Sequence, residues 1–349
     1  MCAPDSASHS DYARTSIDMP LVGITTTIPI EIIYAAGRAV VDLNNVFITN
    51  PNPGEMVERA EYAGFPRTLC GWIKGIYTTA LDLGLQQVVA VTQGDCANTC
   101  ALMETLADAG VEIIPFAYPY DRDCDLLTLQ MEKLRQRFDA APEAVTETKR
   151  RFDAIRARAR RIDDLTWQSD GVTGRQNHYY QITCSDMKSD PAMFEAELDA
   201  FLAGVPDGEP LRPDRLRLAY IGVPPILTDL YDHLESLSAR IVYNETQRQF
   251  AMPFDTPDLV EQYRLYTYPY GVFWRLRDIK AEVARRGVEG VIHYAQNFCF
   301  HQIEDLIIRR HLDLPILTLE ADRPGRMDAG MRLRVESFIE MLRHARRAR

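Results

Sequence analysis

The sequence lacks the signals of several large protein classes. No stretch of the 349 residues approaches the roughly 20 consecutive apolar residues that a membrane-spanning helix needs. There is no G-x-G-x-x-G fingerprint after a strand, no G-x-x-x-x-G-K-[ST] phosphate loop and no G-x-S-x-G nucleophile elbow. These absences argue against a transmembrane protein, a dinucleotide-binding Rossmann enzyme, a P-loop ATPase and an α/β-hydrolase.

Basic residues are also in deficit. The chain has 39 Lys and Arg against 50 Asp and Glu, so its formal net charge is −11 with His neutral. An acidic surface repels phosphate backbones, and we therefore expect no nucleic-acid partner. Residues 1–18 are small and polar and lack the apolar core of a secretory signal, which predicts a disordered tail on a cytoplasmic, non-membrane protein.

The rest of the chain alternates β-branched runs with amphipathic helical stretches, a pattern typical of parallel α/β domains. It predicts an N-terminal α/β domain over residues 19–122 and a C-terminal one over residues 213–349, each with a Rossmann-like or flavodoxin-like parallel sheet. Residues 123–212 lose the strand signal and are rich in i, i+4 charge pairs, which indicates a helical region joining the two domains. Residues 40–43 and 46–48 are predicted as a short strand and its continuation.

Three cysteines occupy similar places in the predicted elements. Cys96 follows the strand QQVVAVTQ, Cys299 follows GVEGVIHYA, and Cys70 lies where a loop passes into a helix. Ligands of parallel sheets collect at the carboxyl ends of strands, so we expect the three thiols to converge in the interdomain cleft. Three thiolates suit an iron–sulfur cubane with one open iron, whereas a closed zinc site needs a fourth ligand. A buried, unreactive cysteine is the alternative for each residue singly.

Four segments carry a resemblance to a known family. In order they are GITTTIPIEIIYAAGRAVVDLN, TLCGWIKG, VVAVTQGDCANTCALMETL and GVIHYAQNFCFHQIED, the last followed by LPILTLEAD and RLRVESFIEML. Over residues 21–342 the chain resembles the 2-hydroxyacyl-CoA dehydratase/benzoyl-CoA reductase superfamily. The resemblance implies that Cys70, Cys96 and Cys299 are the protein ligands of a 4Fe-4S cluster.

The resemblance also implies a function. The chain would be a low-potential iron–sulfur component of an anaerobic, cytoplasmic enzyme, a lyase or an oxidoreductase. It would accept electrons from an ATP-dependent iron–sulfur activator protein and reduce or dehydrate a substrate, a CoA thioester, at the open iron. Its other partner would be a second copy in a homodimer or a related, unequal subunit in a heterodimer.

Two alternatives remain open at this point. One is a homodimeric reductase of small molecules that carries an 8Fe-9S double cubane. In that case the thiolate ligands would number six, the additional three being Cys100, Cys124 and Cys184. Each of these three also fits a packing role. The other is a non-catalytic α/β binding or scaffold protein in which the thiols are structural.

Polar residues near the predicted cluster are candidate catalytic groups. Hydroxyls at the end of the first strand could hydrogen-bond a substrate carbonyl or a cluster sulfur: Thr25, Thr26 and Thr27. One of them is equally well placed to cap the helix that begins near Pro29. His301 is a candidate proton donor, with a structural hydrogen bond as its alternative role. Gln296 and Asn297 could donate to cluster sulfurs, and His293 is predicted to lie in the core.

Overall fold

A computed structural model of the chain describes residues 19–206 and 210–348. The predicted disordered tail, residues 1–18, lies outside the described residues. The described part is an α/β structure with two four-stranded sheets whose neighbouring strands are all parallel. The predicted class, α/β with two parallel-sheet domains, is confirmed.

Contacts within the chain define two compact units. The first comprises the described residues up to Arg156 together with Thr183–Glu197 and Phe254–Tyr270. The second comprises Ala157–Ile182, Leu198–Pro253 and the described residues from Gly271 onward. Each unit is therefore built from several separate segments of the chain. The domain boundaries predicted from the sequence stay a prediction.

The first unit contains one sheet of four strands: β1 (Leu21–Ile24), β2 (Ala39–Asp42), β3 (Gln87–Gln93) and β4 (Glu112–Ala117). Their order in the sheet is β2-β1-β3-β4. The chain order reverses between β1 and β3, and ligands of open parallel sheets bind beside such a switch point, beyond the carboxyl ends of the strands. The loops after β1 and β3 therefore occupy the edge where a site is expected.

The second unit repeats this topology with β5 (Leu216–Gly222), β6 (Ala239–Asn244), β7 (Gly290–Gln296) and β8 (Ile316–Ala321), in the order β6-β5-β7-β8. All residues of β6 and β7 are buried, as expected for strands covered on both faces. Gly222 has φ +97°, and a Cβ there would lie 2.2 Å from the backbone oxygen of Tyr294. Only glycine fits this close approach of β5 and β7.

Helices surround both sheets. Among the described residues, no helix is both long and apolar enough to cross a membrane. The helices are Ile30–Ala35, Leu43–Thr49, Pro53–Tyr62, Gly71–Asp82, Thr99–Asp108, Cys124–Phe138, Pro142–Gln168, Gly174–Thr183, Pro191–Gly204, Leu230–Ser236, Glu245–Phe250, Leu259–Leu265, Val272–Arg286, Asp305–His311 and Ala329–Arg347, with 3₁₀ turns at Met187–Ser189 and Phe300–Glu304.

One predicted element is wrong. Residues 46–48 do not continue a strand, because β2 ends at Asp42 and the helix Leu43–Thr49 follows immediately. The Asp42 side chain accepts a hydrogen bond from the backbone N–H of Asn44 and thereby caps this helix. A short apolar run fits a strand or a buried helix equally well, and here the capping carboxylate decides.

Candidate functional site

Two of the predicted ligands lie at the same edge of the first unit. Cys70 is the N-cap residue of the helix Gly71–Asp82, and only 6% of its surface is exposed. It belongs to a hydrophobic cluster that includes Ile73 and Ile76 of that helix, and the partly buried Cys96 packs against the same cluster. A thiolate at a helix N-terminus is stabilised by the aligned peptide dipoles. The helix N-terminus therefore favours the thiolate, the form of cysteine that binds iron, whereas the apolar cluster around Cys70 opposes it.

A glycine shapes the loop that carries Cys96. Gly94 has φ +99°, and a Cβ there would lie 2.8 Å from the Cβ of Pro269 and 2.9 Å from the Cβ of Tyr118. The loop can therefore take this path only with glycine at position 94. After it, the backbone N–H of Thr99 donates to the Cys96 carbonyl over 3.0 Å as the next helix begins.

Three carboxyl groups lie at or near this edge, and the sequence interpretation missed all of them. Burial and, to a smaller extent, the nearby Asp42 raise the pKa of Asp95 to about 7. Burial and Asp42 likewise raise the pKa of Asp186 to about 8. The backbone N–H of Asp42 donates to Oδ2 of Asp186 over 2.9 Å. Asp42 and Asp95 could have been found, because each ends or follows a strand, whereas no local signal marks Asp186.

An unusual turn holds Asp186 in place. Met187, Lys188 and Ser189 have φ of 53°, 56° and 58°, three consecutive non-glycine residues in the left-handed region. Such residues cost about 1–2 kcal/mol each, so surrounding contacts must compensate. Lys188 N–H donates to Oδ1 of Asp186 over 3.0 Å, and the Ser189 hydroxyl donates to the carbonyl of Val40 over 2.7 Å. The turn is thus tied to both β2 and Asp186.

The threonines after β1 have structural contacts. Thr25 Oγ1 accepts a hydrogen bond from the N–H of Val91 on β3 over 3.1 Å, and the Thr27 carbonyl accepts one from the Tyr118 hydroxyl over 2.8 Å. At the start of the next helix, the N–H of Ile30 donates to the carbonyl of Ile28 and the N–H of Ile32 donates to the carbonyl of Pro29. The alternative in which a threonine caps this helix is therefore wrong. A catalytic role for Thr25 and Thr27 stays a prediction.

In the second unit, Cys299 follows β7 just as Cys96 follows β3 in the first. It is partly buried and is the N-cap residue of the 3₁₀ turn Phe300–Glu304. Its N–H donates to the carbonyl of Gln296 over 3.1 Å, and its carbonyl accepts from the N–H of Gln302 over 3.2 Å. Both units therefore carry a cysteine directly beyond the third strand of the same topology.

His301 lies beside a carboxylate that the sequence interpretation did not single out. Its Nδ1 is 2.8 Å from Oε2 of Glu304, and Arg275 also bonds to Glu304. Burial acts to raise the pKa of Glu304, but His301 and Arg275 together outweigh it and the pKa is lowered. The catalytic role of His301 stays a prediction. His293 lies in the core as expected, with Nδ1 2.7 Å from Oδ1 of Asp305.

The three additional thiols have different surroundings. Cys100 and Cys124 are exposed on the helices Thr99–Asp108 and Cys124–Phe138, whereas Cys184 is completely buried. Cys184 lies near the buried guanidinium of Arg156 in the same unit. Their assignment to a larger cluster stays a prediction.

The donor set can be compared with what a cluster needs. Within residues 19–206 and 210–348, no three side chains of His, Cys, Asp or Glu are assembled so that they could hold one metal ion. A cubane does not require such a group, because each of its thiolates binds a separate iron. Cys70 and Cys96, at one sheet edge and against one hydrophobic cluster, fit an iron–sulfur cluster by donor type.

A comparison with protein-family models gives a match over residues 25–342 to 2-hydroxyglutaryl-CoA dehydratase, D-component. The chain belongs to this family. The match includes every strand except β1, which ends just before it, and all three cysteines singled out above, and it confirms the resemblance found in the sequence. No curated protein matched the chain in a separate sequence comparison.

Proposed function

We propose that this dehydratase-family component is an iron–sulfur enzyme subunit whose 4Fe-4S cluster is held by Cys70, Cys96 and Cys299. The observation that carries the proposal is the family match over residues 25–342. The positions of the thiols support it, since Cys96 and Cys299 follow the third strands of two sheets with the same topology. When bound, the cluster would supply one electron and a Lewis-acidic iron that is open to substrate.

The residues around the thiols have their own roles in this proposal. The helix that begins at Gly71 favours the Cys70 thiolate, and the hydrophobic cluster around Cys70 keeps water away from the sulfur. His301 donates a proton to the departing hydroxyl of a substrate. Glu304 holds Nδ1 of His301, which leaves Nε2 for proton transfer. The hydroxyls of Thr25 and Thr27 orient the substrate carbonyl.

The substrate is a CoA thioester of a 2-hydroxy acid, and the reaction removes water from it. Electrons come from a separate ATP-dependent iron–sulfur activator protein, which fits the absence of a P-loop from this sequence. The working enzyme is a dimer, either of two copies or with a related subunit, in an anaerobic cytoplasm.

Anaerobic purification followed by iron and sulfide analysis tests the cluster. We expect a brown protein with about four irons per chain. About eight irons per chain would replace this proposal by the double cubane, with Cys100, Cys124 and Cys184 as further ligands. A colourless protein that stays colourless after reconstitution with iron and sulfide would contradict both and favour the non-catalytic binding protein.

A reaction assay tests the substrate class. The loaded protein is mixed with an activator of the same family, ATP, a low-potential reductant and a set of 2-hydroxyacyl-CoA thioesters. We expect loss of water to give the 2-enoyl-CoA, detected by mass spectrometry, and no product when ATP is omitted. Reduction of small molecules by a loaded protein that leaves every thioester unchanged would contradict the dehydratase assignment.

A further inference from the structure

The loop that carries Cys299 has little hydrophobic packing of its own. No residue of the turn Phe300–Glu304 is buried, and Phe300 and Ile303 are 46% and 70% exposed. Phe298, just before the cysteine, has φ +64°, a conformation that is unfavourable for a bulky side chain. Apolar burial therefore does not fix this loop, and polar contacts must hold it.

Glu304 supplies such a contact at the end of the turn. Nη1 of Arg275 donates a hydrogen bond to Oε2 of Glu304, the same oxygen that lies 2.8 Å from Nδ1 of His301. The side chain of Arg275 is 3% exposed and that of Glu304 is 16% exposed. An ion pair this well shielded from water is weakened little by dissolved salt, in contrast to a surface pair.

Arg275 is itself held rigidly from the other side. Its Nε donates to Oε1 of Glu245 over 2.6 Å and its Nη2 donates to Oε2 over 2.9 Å, a bidentate arrangement. Oε2 of Glu245 also accepts the N–H of Gly222 over 2.8 Å. Gly222 ends β5, and Glu245 follows directly on β6. Arg275 therefore joins the carboxyl ends of β5 and β6 to the loop that follows β7.

We propose that Arg275 and Glu304 are positioning residues that set the geometry of the loop carrying Cys299. Glu245 fixes Nε and Nη2 of the guanidinium, so Nη1 of Arg275 defines where Glu304, and with it the turn after Cys299, must lie. This inference rests on the proposed function in one respect, namely that the positioned cysteine is a cluster ligand. Its structural half holds for the protein without iron.

Hydrogen exchange of the iron-free protein tests the structural half. Glu304→Ala removes the carboxylate that links the loop to Arg275. The matched control is Glu289→Ala, which removes a carboxylate paired with Arg346 at the opposite end of β7. We expect amide exchange in peptides covering residues 297–304 to become at least about tenfold faster in Glu304→Ala and to stay unchanged in Glu289→Ala. Unchanged exchange in both variants overturns the inference.

A conservative pair of variants keeps the test valid if the alanine variant unfolds. Glu304→Gln retains the size and one acceptor oxygen, and Arg275→Lys retains the charge but loses the bidentate fork. We expect an increase in exchange at residues 297–304 in both, smaller than in Glu304→Ala, with an unaltered circular-dichroism spectrum. Exchange at wild-type rates in both conservative variants overturns the inference.

Iron analysis and electron paramagnetic resonance of the reconstituted proteins test the second half. We expect Glu304→Ala to bind at most half of the wild-type iron, or to show a changed reduced-state spectrum, and Glu289→Ala to match the wild type. Faster exchange combined with unaltered iron content and spectrum would overturn the link to the cluster. A wild type that binds no iron defeats the proposed function, whereas the exchange experiment still decides whether Arg275 and Glu304 position the loop.

Discussion

The buried Asp186 makes the stability of the first unit depend on pH in an unusual direction. The perturbation that isolates this effect is Asp186→Asn. Asp186 is fully buried beside Asp42, and burial together with that neighbour raises the pKa of Asp186 to about 8. In an unfolded chain the pKa of an aspartate is about 3.9. The folded protein therefore keeps a proton on Asp186 at neutral pH, and the unfolded chain releases it.

The magnitude follows from this difference in bound protons. Stability from Asp186 is fully present below the unfolded pKa of about 3.9 and is lost progressively as the pH rises towards the folded pKa of about 8. Within this window the free energy of unfolding falls by about 1.4 kcal/mol per pH unit, or about 2.5 kcal/mol from about pH 5.5 to about pH 7.5. An asparagine binds no proton, so the variant does not show this decline.

The amide also changes one hydrogen bond. Both oxygens of Asp186 accept backbone N–H groups, from Asp42 and Lys188, and an amide can accept only one of them. Asp186→Asn should therefore be less stable than the wild type at about pH 5.5, by about 1–3 kcal/mol. The disadvantage should shrink or disappear by about pH 7.5.

Urea-induced unfolding of both proteins across this pH range measures the difference. The matched control is Glu112→Gln. A hydrogen bond from Gln87 and the nearby Arg137 lower the pKa of the exposed Glu112, so its contribution is present above the unfolded pKa and is lost only in acid. The control should stay parallel to the wild type from about pH 5.5 to about pH 7.5. Parallel profiles for Asp186→Asn and the wild type would refute the reasoning.

Two further predictions concern the cores of the units. Nη1 of Arg156 and Oε1 of Glu31 form a completely buried ion pair over 2.5 Å. Arg156→Met leaves the Glu31 carboxylate without this partner, so it should lower the free energy of unfolding measured in urea by about 3–5 kcal/mol. A change below about 0.5 kcal/mol would show that the pair is not stabilising. Gly222 and Gly287 both have positive φ, so replacing either by alanine should lower the free energy of unfolding by about 1–2 kcal/mol. Gly222→Ala should cost more than this, because only there would the added Cβ meet a backbone oxygen, and equal melting temperatures for the two variants would contradict the prediction.

The positions of the three cysteines were accessible from the sequence because the signal for each is local. Cys96 and Cys299 stand next to continuous apolar runs that read as buried parallel strands, and Cys70 stands at the start of an amphipathic helix. Strand–loop–helix junctions are determined by a dozen neighbouring residues, so a single sequence is enough to locate them. Whether these cysteines bind a cluster is a question of chemistry that periodicity does not answer.

The charged network around the loops could not be read in the same way. Asp42 and Asp186 are 144 residues apart, and Arg156 and Glu31 are 125 residues apart. Judged from the sequence, each of these side chains also fits an ordinary exposed position on a helix or at a strand end; Glu31, for example, lies in the first turn of its helix, where a carboxylate is favourable in any case. Only the folded chain shows that these side chains are buried, which is what makes the pairing necessary.

The three-residue left-handed turn at Met187–Ser189 was equally hidden from the sequence. Left-handed backbone is usually signalled by glycine or asparagine, and neither occurs there. The turn exists because contacts from distant residues outweigh a local preference, among them those of Val40 and Asp42. The helix Leu43–Thr49 was misread for a related reason, since its apolar residues fit either element until the capping role of Asp42 is known.

The iron content of two variants purified side by side tests the central claim most directly. Cys299→Ala removes a proposed cluster ligand, and Cys100→Ala removes an exposed thiol from the helix after Cys96. After anaerobic reconstitution we predict about four irons per chain for the wild type and for Cys100→Ala, and a severe loss of iron for Cys299→Ala. A Cys299→Ala protein that retains the full wild-type iron content would contradict the account.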